Sequence, residues 1–223
     1  MKPLRTIDSV QAPDGTLALK QRDERDFLIT IDGRVLMSST ANRSERALGI
    51  VATRRLATYA QPKVLIGGLG MGFTLQAVLE EVPKTAKVLV AELNPVTEKW
   101  CRGPLAEMTA HAVEDPRVTV EIIDVAKAIS RAAEGPPDHR FDAIVIDLYV
   151  GPDANTKRDD PLYGKKACSK ASQALTAGGI YSVWGEAPDA AYVKRLEGSG
   201  FTVRLERPGK GGLRHVVYIA TKR

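Results

Sequence analysis

Residues 63–72 read KVLIGGLGMG, a short apolar strand that runs into a glycine-rich turn at the start of a helix. Glycine permits positive φ angles and has no Cβ atom to keep a ligand away from the backbone. The amides at the amino end of the next helix have no acceptor within that helix and are open to a ligand. Such turns also occur for packing alone, so the segment by itself leaves both interpretations open.

Acidic residues follow three further apolar runs. Glu92 ends the second run, about 20 residues after the loop, where a carboxylate can accept both ribose hydroxyls. Asp124 ends the third, where it can accept the exocyclic amine of adenine, and Asp147 lies near the end of the fourth. Any one of them could cap a helix, Asp124 before Val125 in particular. Because ligands in open α/β sheets lie outside the carboxyl ends of the strands, the set predicts a nucleoside site.

Beyond the loop, the chain alternates short apolar runs with longer helical patterns, which predicts βαβ units on a parallel sheet. The predicted strands are Lys63–Gly68, Lys87–Leu93, Val118–Asp124, Phe141–Tyr149 and Gly179–Gly185. The predicted helices are Thr74–Glu81, Pro95–Ala110, Val125–Glu134, Tyr163–Thr176 and Asp189–Ser199. The joint at residues 208–212 is too short for a crossover helix, so Phe201–Arg207 and His215–Thr221 are expected to pair antiparallel.

These patterns predict an α/β fold with a doubly wound, Rossmann-like sheet of the class I methyltransferase type, mostly parallel and ending in an antiparallel hairpin. Upstream, Thr16–Arg22 and Phe27–Met37 are predicted strands, with a turn at Asp32-Gly33 in the second, and Ser44–Tyr59 is a predicted helix. We therefore expect an N-terminal β-hairpin extension at residues 1–43 and a nucleoside-binding catalytic domain at residues 44–223.

The spacing of the loop glycines bears on which nucleoside binds. Gly68, Gly70 and Gly72 follow a GxGxG pattern instead of the GxGxxG of dinucleotide sites. Together with the terminal hairpin, this favours S-adenosylmethionine or a close relative over NAD, and leaves hydride transfer as the minority interpretation. The predicted cofactor contacts are Gly67, Gly68, Leu69, Gly70, Gly72, Glu92 and Asp124.

Composition narrows the functional classes. The 223 residues are 43% hydrophobic and 26% charged, which is ordinary for a globular enzyme. No apolar run reaches the ~20 residues that span a bilayer, and Met1–Val10 lacks the apolar core of a secretory signal, so we expect a cytoplasmic protein without a membrane partner. The net charge of +5 comes from dispersed basic residues, which argues against a nucleic-acid partner. The two cysteines and three histidines show no metal-ligand spacing, so no metal is expected.

Several segments together resemble the spermidine synthase family of aminopropyltransferases. LITIDGRVLMSST at 28–40, VLIGGLGMG at 64–72 and VLVAELNP at 88–95 resemble its strand-turn-strand, glycine-loop and ribose-binding segments. Its adenine-binding segment resembles DPRVTVEIID at 115–124, and its catalytic segment resembles FDAIVIDLYVGP at 141–152. The helix and strand that follow in the family resemble the segment at 162–188. The resemblance implies ribose binding by Glu92, adenine binding by Asp124 and activation of the acceptor by Asp147.

The chain also departs from the family pattern. An aspartate that holds the amino group of the donor is replaced by Gly70, and a second catalytic-segment aspartate is replaced within Leu148–Val150. A glutamine after the Asp-Gly turn appears as Leu36, and a tyrosine-histidine pair in the next helix is absent. The donor pocket is expected to be kept, whereas the diamine pocket is expected to be altered.

Three functions are consistent with these residues. We favour methyl transfer from S-adenosylmethionine to a small-molecule acceptor, with Asp147 as the base and Tyr149 and Glu186 as acceptor contacts. The alternative is aminopropyl transfer from decarboxylated S-adenosylmethionine to an amine. The third is a nucleoside-binding module without catalysis. A homodimer is the oligomeric state that we expect and that should be tested.

Overall fold

A computed structural model describes residues 3–208 and 215–223. The strands are β1 Arg5–Ala12, β2 Gly15–Asp23, β3 Asp26–Ile31, β4 Arg34–Ser38, β5 Lys63–Gly67, β6 Lys87–Glu92, β7 Val118–Ile122, β8 Phe141–Ile146, β9 Leu175–Gly185, β10 Phe201–Glu206 and β11 Val216–Lys222. The helices are α1 Arg43–Thr53, α2 Phe73–Glu81, α3 Pro95–Arg102, α4 Val125–Glu134, α5 Lys165–Gln173 and α6 Ala190–Glu197.

A seven-stranded sheet forms the centre of the molecule, in the order β10-β11-β9-β8-β5-β6-β7. Neighbours from β9 to β7 pair in parallel, and β11 pairs antiparallel with both β9 and β10. The predicted fold class and its terminal antiparallel hairpin are therefore confirmed, although residues 209–212 of the predicted joint lie outside the described residues. The strand order reverses between β5 and β8, which opens a crevice at their carboxyl ends.

Helices cover both faces of this sheet, which explains why its strands are apolar without interruption. In β5, Val64 and Ile66 face the cluster that includes residues of α1, α2 and α3, whereas Leu65 faces the cluster with residues of α4, α5 and α6. The alternation fixes the register of β5, because a slip by one residue would exchange its two faces.

The N-terminal strands form a separate antiparallel sheet in the order β1-β2-β3-β4. The turn predicted at Asp32-Gly33 is present, with φ angles of 45° and 81°, and it divides the predicted segment Phe27–Met37 into β3 and β4. The strand β1 was not predicted. Leu19 and Ile29 of this sheet pack into the cluster on the α1–α3 face of the main sheet. The division of the chain after residue 43 stays a prediction.

Three predicted helices are shorter than expected. Pro95–Ala110 ends at Arg102, because Gly103 and Pro104 follow, and a 3-10 turn at Ala106–Thr109 takes its place. Ser44–Tyr59 ends at Thr53 and continues as a 3-10 turn. The predicted helix to Thr176 ends at Gln173, because the chain enters β9 at Leu175, which pairs with Phe141. None of the helices among the described residues combines the length and apolar character that crossing a bilayer requires.

Candidate active site

The glycine loop between β5 and α2 requires glycine at specific points. Gly68 has a φ of +89°, and a Cβ there would lie 2.4 Å from the carbonyl oxygen of Asp147. Gly72 has a φ of +86° and precedes the first residue of α2. Gly67 lies against Val125 of α4, where a Cβ would come within 2.6 Å. The loop can therefore lie close to the end of β8 and to α4 only because Gly67 and Gly68 carry no side chain.

Glu92 holds the loop from the end of β6. The side chain is 8% exposed, and its Oε2 accepts the Leu69 amide at 2.9 Å. Its Oε1 accepts the Asn94 amide at 2.8 Å. A carboxylate has about four lone-pair sites, so both oxygens keep the capacity to accept from a ribose. Glu92 thus has a structural task besides the predicted ligand contact.

Asp124 is exposed at the end of β7 and caps α4, since its Oδ1 accepts the Ala126 amide at 2.8 Å. The capping role considered from sequence is present, and the side chain also lines the adjoining cavity.

A cavity of about 680 Å³ lies outside the carboxyl ends of β5, β6 and β7. Gly68, Gly70, Glu92, Asp124 and Asp147 line it, and the remaining predicted loop residues shape the turn behind it. The turn between β1 and β2 closes its other side with residues 12–14. We name this space the donor cavity.

A second cavity of about 730 Å³ lies beside the first. The two share a wall that includes Met37, Asp147, Leu148 and Tyr149. The second cavity also contains both predicted acceptor residues, Tyr149 and Glu186. Among the described residues, three further acids line it, Glu45, Asp153 and Asp189, against one arginine, Arg34. We name this space the acceptor cavity, and its acidic excess suits a cation.

Tyr149 links the shared wall to the N-terminal sheet. Its hydroxyl donates to Oδ2 of Asp14 at 3.2 Å, and the side chain is 39% exposed. Partial burial, with the nearby Asp14 carboxylate, raises the pKa of Tyr149, so the hydroxyl stays a donor at neutral pH.

Asp147 follows the last residue of β8 and is 9% exposed. Its amide donates to the carbonyl of Gly67 at 2.9 Å, which fixes it beside the glycine loop. Burial, followed by the Glu45 carboxylate, raises the pKa of Asp147 to about 7, while a hydrogen bond from Thr74 acts in the opposite direction. A carboxyl group with this pKa can take and release a proton near neutrality.

Met37 occupies the space beside Gly70. A Cβ on Gly70 would lie 2.7 Å from Sδ and 2.8 Å from Cε of Met37, and the φ of Gly70 is +53°. Gly70 and Met37 line a narrow cleft with Leu69, Glu45 and Asp147. A thioether thus occupies the place of the loop carboxylate that the resemblance leads one to expect, and Glu45 and Asp147 are the acids among the residues that line the cleft.

Sequence reasoning missed Glu45, Thr74 and His215 as members of this site. Glu45 lies in the first turn of α1, where an acid is ordinarily explained by the helix dipole. Ser44 links Glu45 to His215. Its hydroxyl donates to Oε2 of Glu45 at 2.7 Å and lies 3.3 Å from Nδ1 of His215. His215 packs against Trp184 on the wall of the acceptor cavity, with the ring centroids 5.0 Å apart. No spacing in the sequence signals these contacts.

Comparison with known proteins agrees with the resemblance. The chain is 32% identical over 125 residues to a polyamine aminopropyltransferase of Mycobacterium tuberculosis, covering 56% of this chain and 23% of that protein. It is 31% identical over 134 residues to a polyamine aminopropyltransferase of Clostridium tetani, covering 60% of this chain and 44% of the relative. The chain therefore spans less than half the length of these curated relatives. No family model matches.

Solved structures share the fold. A spermidine synthase in complex with the transition-state analogue AdoDATO superposes with a TM-score of 0.74 at 20% identity, covering 98% of this chain and 73% of that one. The spermidine synthase of Thermotoga maritima gives a TM-score of 0.73 at 20% identity with the same coverage. The solved structures show the shared fold, and the curated relatives confirm the resemblance stated from sequence and agree better with its aminopropyltransferase alternative than with methyl transfer.

Proposed function

Because the chain is a relative of the spermidine synthase family, we propose that it transfers an aminopropyl group from decarboxylated S-adenosylmethionine to a cationic amine. The observation that carries this proposal is the position of Asp147, on the wall common to the donor cavity and the acid-lined acceptor cavity. In this arrangement one carboxyl group can face both reacting molecules.

The proposed chemistry requires little from the protein beyond alignment and one base. Asp147 accepts a proton from the acceptor ammonium, and the free amine nitrogen attacks the carbon next to the sulfonium. A carbon–nitrogen bond forms as the carbon–sulfur bond breaks, and the bond pair stays on sulfur as a neutral thioether. The raised pKa of Asp147 supports this role, because the group can hold the proton and release it to solvent afterwards.

The acceptor is proposed to be a cation on account of the charges around it. Glu45 and Glu186 line the acceptor cavity together with Asp147. Each can accept from an ammonium group, and charge-assisted bonds of this kind are about twice as strong as neutral ones. An amine with two cationic ends would use one carboxylate near Asp147 and one further along the cavity.

Methyl transfer from S-adenosylmethionine is the second candidate, and the Gly70–Met37 contact favours it. With a thioether in that space, the glycine loop offers no carboxylate to the bare ammonium of a decarboxylated donor. We rank it below aminopropyl transfer because the curated relatives are polyamine aminopropyltransferases, and Glu45, which borders both the cleft and the acceptor cavity, can face the ammonium of either reactant.

The test supplies each donor separately with a panel of diamines and monoamines and detects products by mass spectrometry. We expect methylthioadenosine and an aminopropylated amine, reduced by about 10²–10⁴-fold in Asp147→Asn. Asp138→Asn is the matched control, because this exposed residue precedes β8 at its opposite end. Formation of S-adenosylhomocysteine would reverse the ranking, and no product from either donor would contradict both.

A further inference from the structure

Thr74 makes a contact with Asp147 that the proposed function does not explain by itself. It is the second residue of α2 and is 1% exposed. Its Oγ1 lies 2.5 Å from Oδ2 of Asp147 and 3.1 Å from the carbonyl oxygen of Glu45. A buried hydroxyl is therefore held between the candidate base and the helix that carries the neighbouring acid.

The chemistry of a hydroxyl gives this contact a second property. A threonine hydroxyl has one hydrogen to donate and two lone pairs that accept. When Asp147 is ionised, Thr74 donates to its carboxylate. When Asp147 is protonated, the carboxylic acid can donate to Oγ1, and the threonine hydrogen turns to the carbonyl of Glu45. Both protonation states of Asp147 thus have a partner in the same place, and neither leaves a buried polar atom unpaired.

We propose that Thr74 is a positioning residue for the transfer reaction, holding Oδ2 of Asp147 so that Oδ1 is left for the acceptor amine in both protonation states. The proposal deepens the proposed function and rests on it for the identity of the reacting amine. The geometry of the hydroxyl and the two acceptors stands independently of that identity.

The ionisable groups around Asp147 come from several elements. Burial, and after it the Glu45 carboxylate of α1, raises the pKa of Asp147. Burial, followed by the Asp160 and Asp147 carboxylates, raises the pKa of Tyr163, which precedes α5. Tyr149, Glu186, Arg34 and His215 line the acceptor cavity that Asp147 also lines. Thr74 is the hydrogen-bond donor that favours the charged form and so limits the rise caused by burial and Glu45.

The test compares Thr74→Val, which keeps the shape and removes the hydroxyl, with Thr74→Ser, which keeps the hydroxyl. The pKa of Asp147 is read by carbon NMR of the labelled carboxyl group, with Asp147→Asn used to assign the resonance. We expect the pKa to rise by about one in the valine variant, as for loss of one hydrogen bond to a charged group, and to stay at the wild-type value in the serine variant. Thr53→Val is the control for loss of a buried hydroxyl elsewhere, since Thr53 Oγ1 donates only to Gly49 of its own helix, at 2.8 Å, in the described structure.

The activity profile provides the functional readout. In the valine variant the acid side of the kcat profile should move to higher pH by the same amount, and serine should restore it. An unchanged Asp147 titration in Thr74→Val, or a shifted one in Thr74→Ser, overturns the proposal. If the valine variant does not fold, Thr74→Ala removes the same donor without adding bulk. A shifted titration in a protein that transfers no group overturns the proposed function and supports the coupling of Thr74 to Asp147.

Discussion

At the scale of single residues, the site depends on a carboxyl group held where water solvates its charge poorly. Asp147 is nearly buried, next to a second acid, with one hydroxyl donor to offset these effects. An ionised group in such surroundings destabilises the folded state, because the unfolded chain would solvate it. The same burial sets the pKa near the pH at which a base is useful. Reactivity and stability are therefore in conflict at this residue.

The conflict predicts a pH-dependent gain in stability for Asp147→Asn. Between the ordinary pKa of 3.8 and about 7, the folded protein keeps the Asp147 proton that the unfolded chain has released. The wild-type free energy of unfolding therefore falls as pH rises through this window, whereas asparagine does not titrate. The advantage of the variant should be small at pH 4 and reach about 4 kcal/mol at pH 8.

Urea unfolding at several pH values measures this difference directly. Asp138→Asn, at an exposed position, should differ from the wild type by a constant amount. A stability difference for Asp147→Asn that does not grow with pH would mean that Asp147 titrates normally.

Gly70 and Met37 give a second prediction at this scale. In Gly70→Asp the new side chain must adopt a positive φ and displace the Met37 thioether, so we expect a loss of about 1–2 kcal/mol in stability. Adding Met37→Ala should relieve the crowding, and the double variant should prefer the decarboxylated donor about tenfold more than the wild type does, through one charge-assisted bond.

Gly178→Asp is the control for Gly70→Asp, because it introduces the same backbone strain without the crowding. Gly178 has a φ of +71°, and a Cβ there would have no neighbour within 4 Å. Denaturant unfolding and competitive binding of the two donors provide the measurements. If the double variant discriminates between donors no better than the wild type, the ammonium of the donor does not reach this cleft.

The sequence predicted the site residues that follow the parallel strands. It missed Glu45 and Thr74, which reach the site from helices, and His215, which precedes the antiparallel strand β11. Parallel strands place Glu92, Asp124 and Asp147 along one edge, so their positions follow from the strand pattern alone. Thr74 and Asp147 are 73 residues apart and meet through packing of α2 against the main sheet. Local propensity carries no information on such a contact.

At the scale of elements, the turn between β1 and β2 is placed to cover the donor cavity. Residues 12–14 line that cavity, and Asp14 accepts a hydrogen bond from the hydroxyl of Tyr149, which lies on the wall between the two cavities. Under the proposed function, the donor passes this turn or binds beneath it. The contact is a single exposed hydrogen bond, so it can break at little cost.

Tyr149→Phe should loosen this cover. Losing one hydrogen bond of about 0.5–1.5 kcal/mol should speed amide exchange next to the turn, at Leu17, by about 2–10-fold. Tyr59→Phe, at an exposed tyrosine after α1, is the control and should leave the exchange unchanged. Exchange measured by NMR with and without methylthioadenosine checks the result, and equal rates in Tyr149→Phe and wild type would show that the contact does not hold the turn.

Element boundaries were the least predictable part of the fold, for identifiable reasons. The apolar period of α3 continues past Arg102, yet Gly103 and Pro104 stop the helix and the chain continues as short 3-10 turns. The polar start of β9 resembles the end of a helix, and only its pairing with Phe141 makes it a strand. The strand β1 is polar and largely exposed, so no alternation revealed it.

At the scale of the whole molecule, the N-terminal sheet and the main sheet are coupled through a shared apolar cluster, the donor cavity and polar contacts, one of them to a buried tryptophan. Trp100 of α3 is 1% exposed, and its Nε1 donates to Oδ2 of Asp8 in β1 at 3.1 Å. Leu17 and Ile29 of the N-terminal sheet line the donor cavity opposite Ala91 of the main sheet. A ligand in this cavity should therefore stabilise both sheets together.

The two tryptophans allow this coupling to be measured. Trp184→Phe leaves Trp100, which reports the contact between the sheets, and Trp100→Phe leaves Trp184, which reports the acceptor cavity. Within each variant, we expect fluorescence and far-ultraviolet circular dichroism to give coincident thermal transitions. Methylthioadenosine at 100 times its Kd contributes about 2.7 kcal/mol, which should raise both midpoints by about 5–10 °C. A rise at Trp184 with none at Trp100 would mean that the N-terminal sheet opens independently and takes no part in binding the donor.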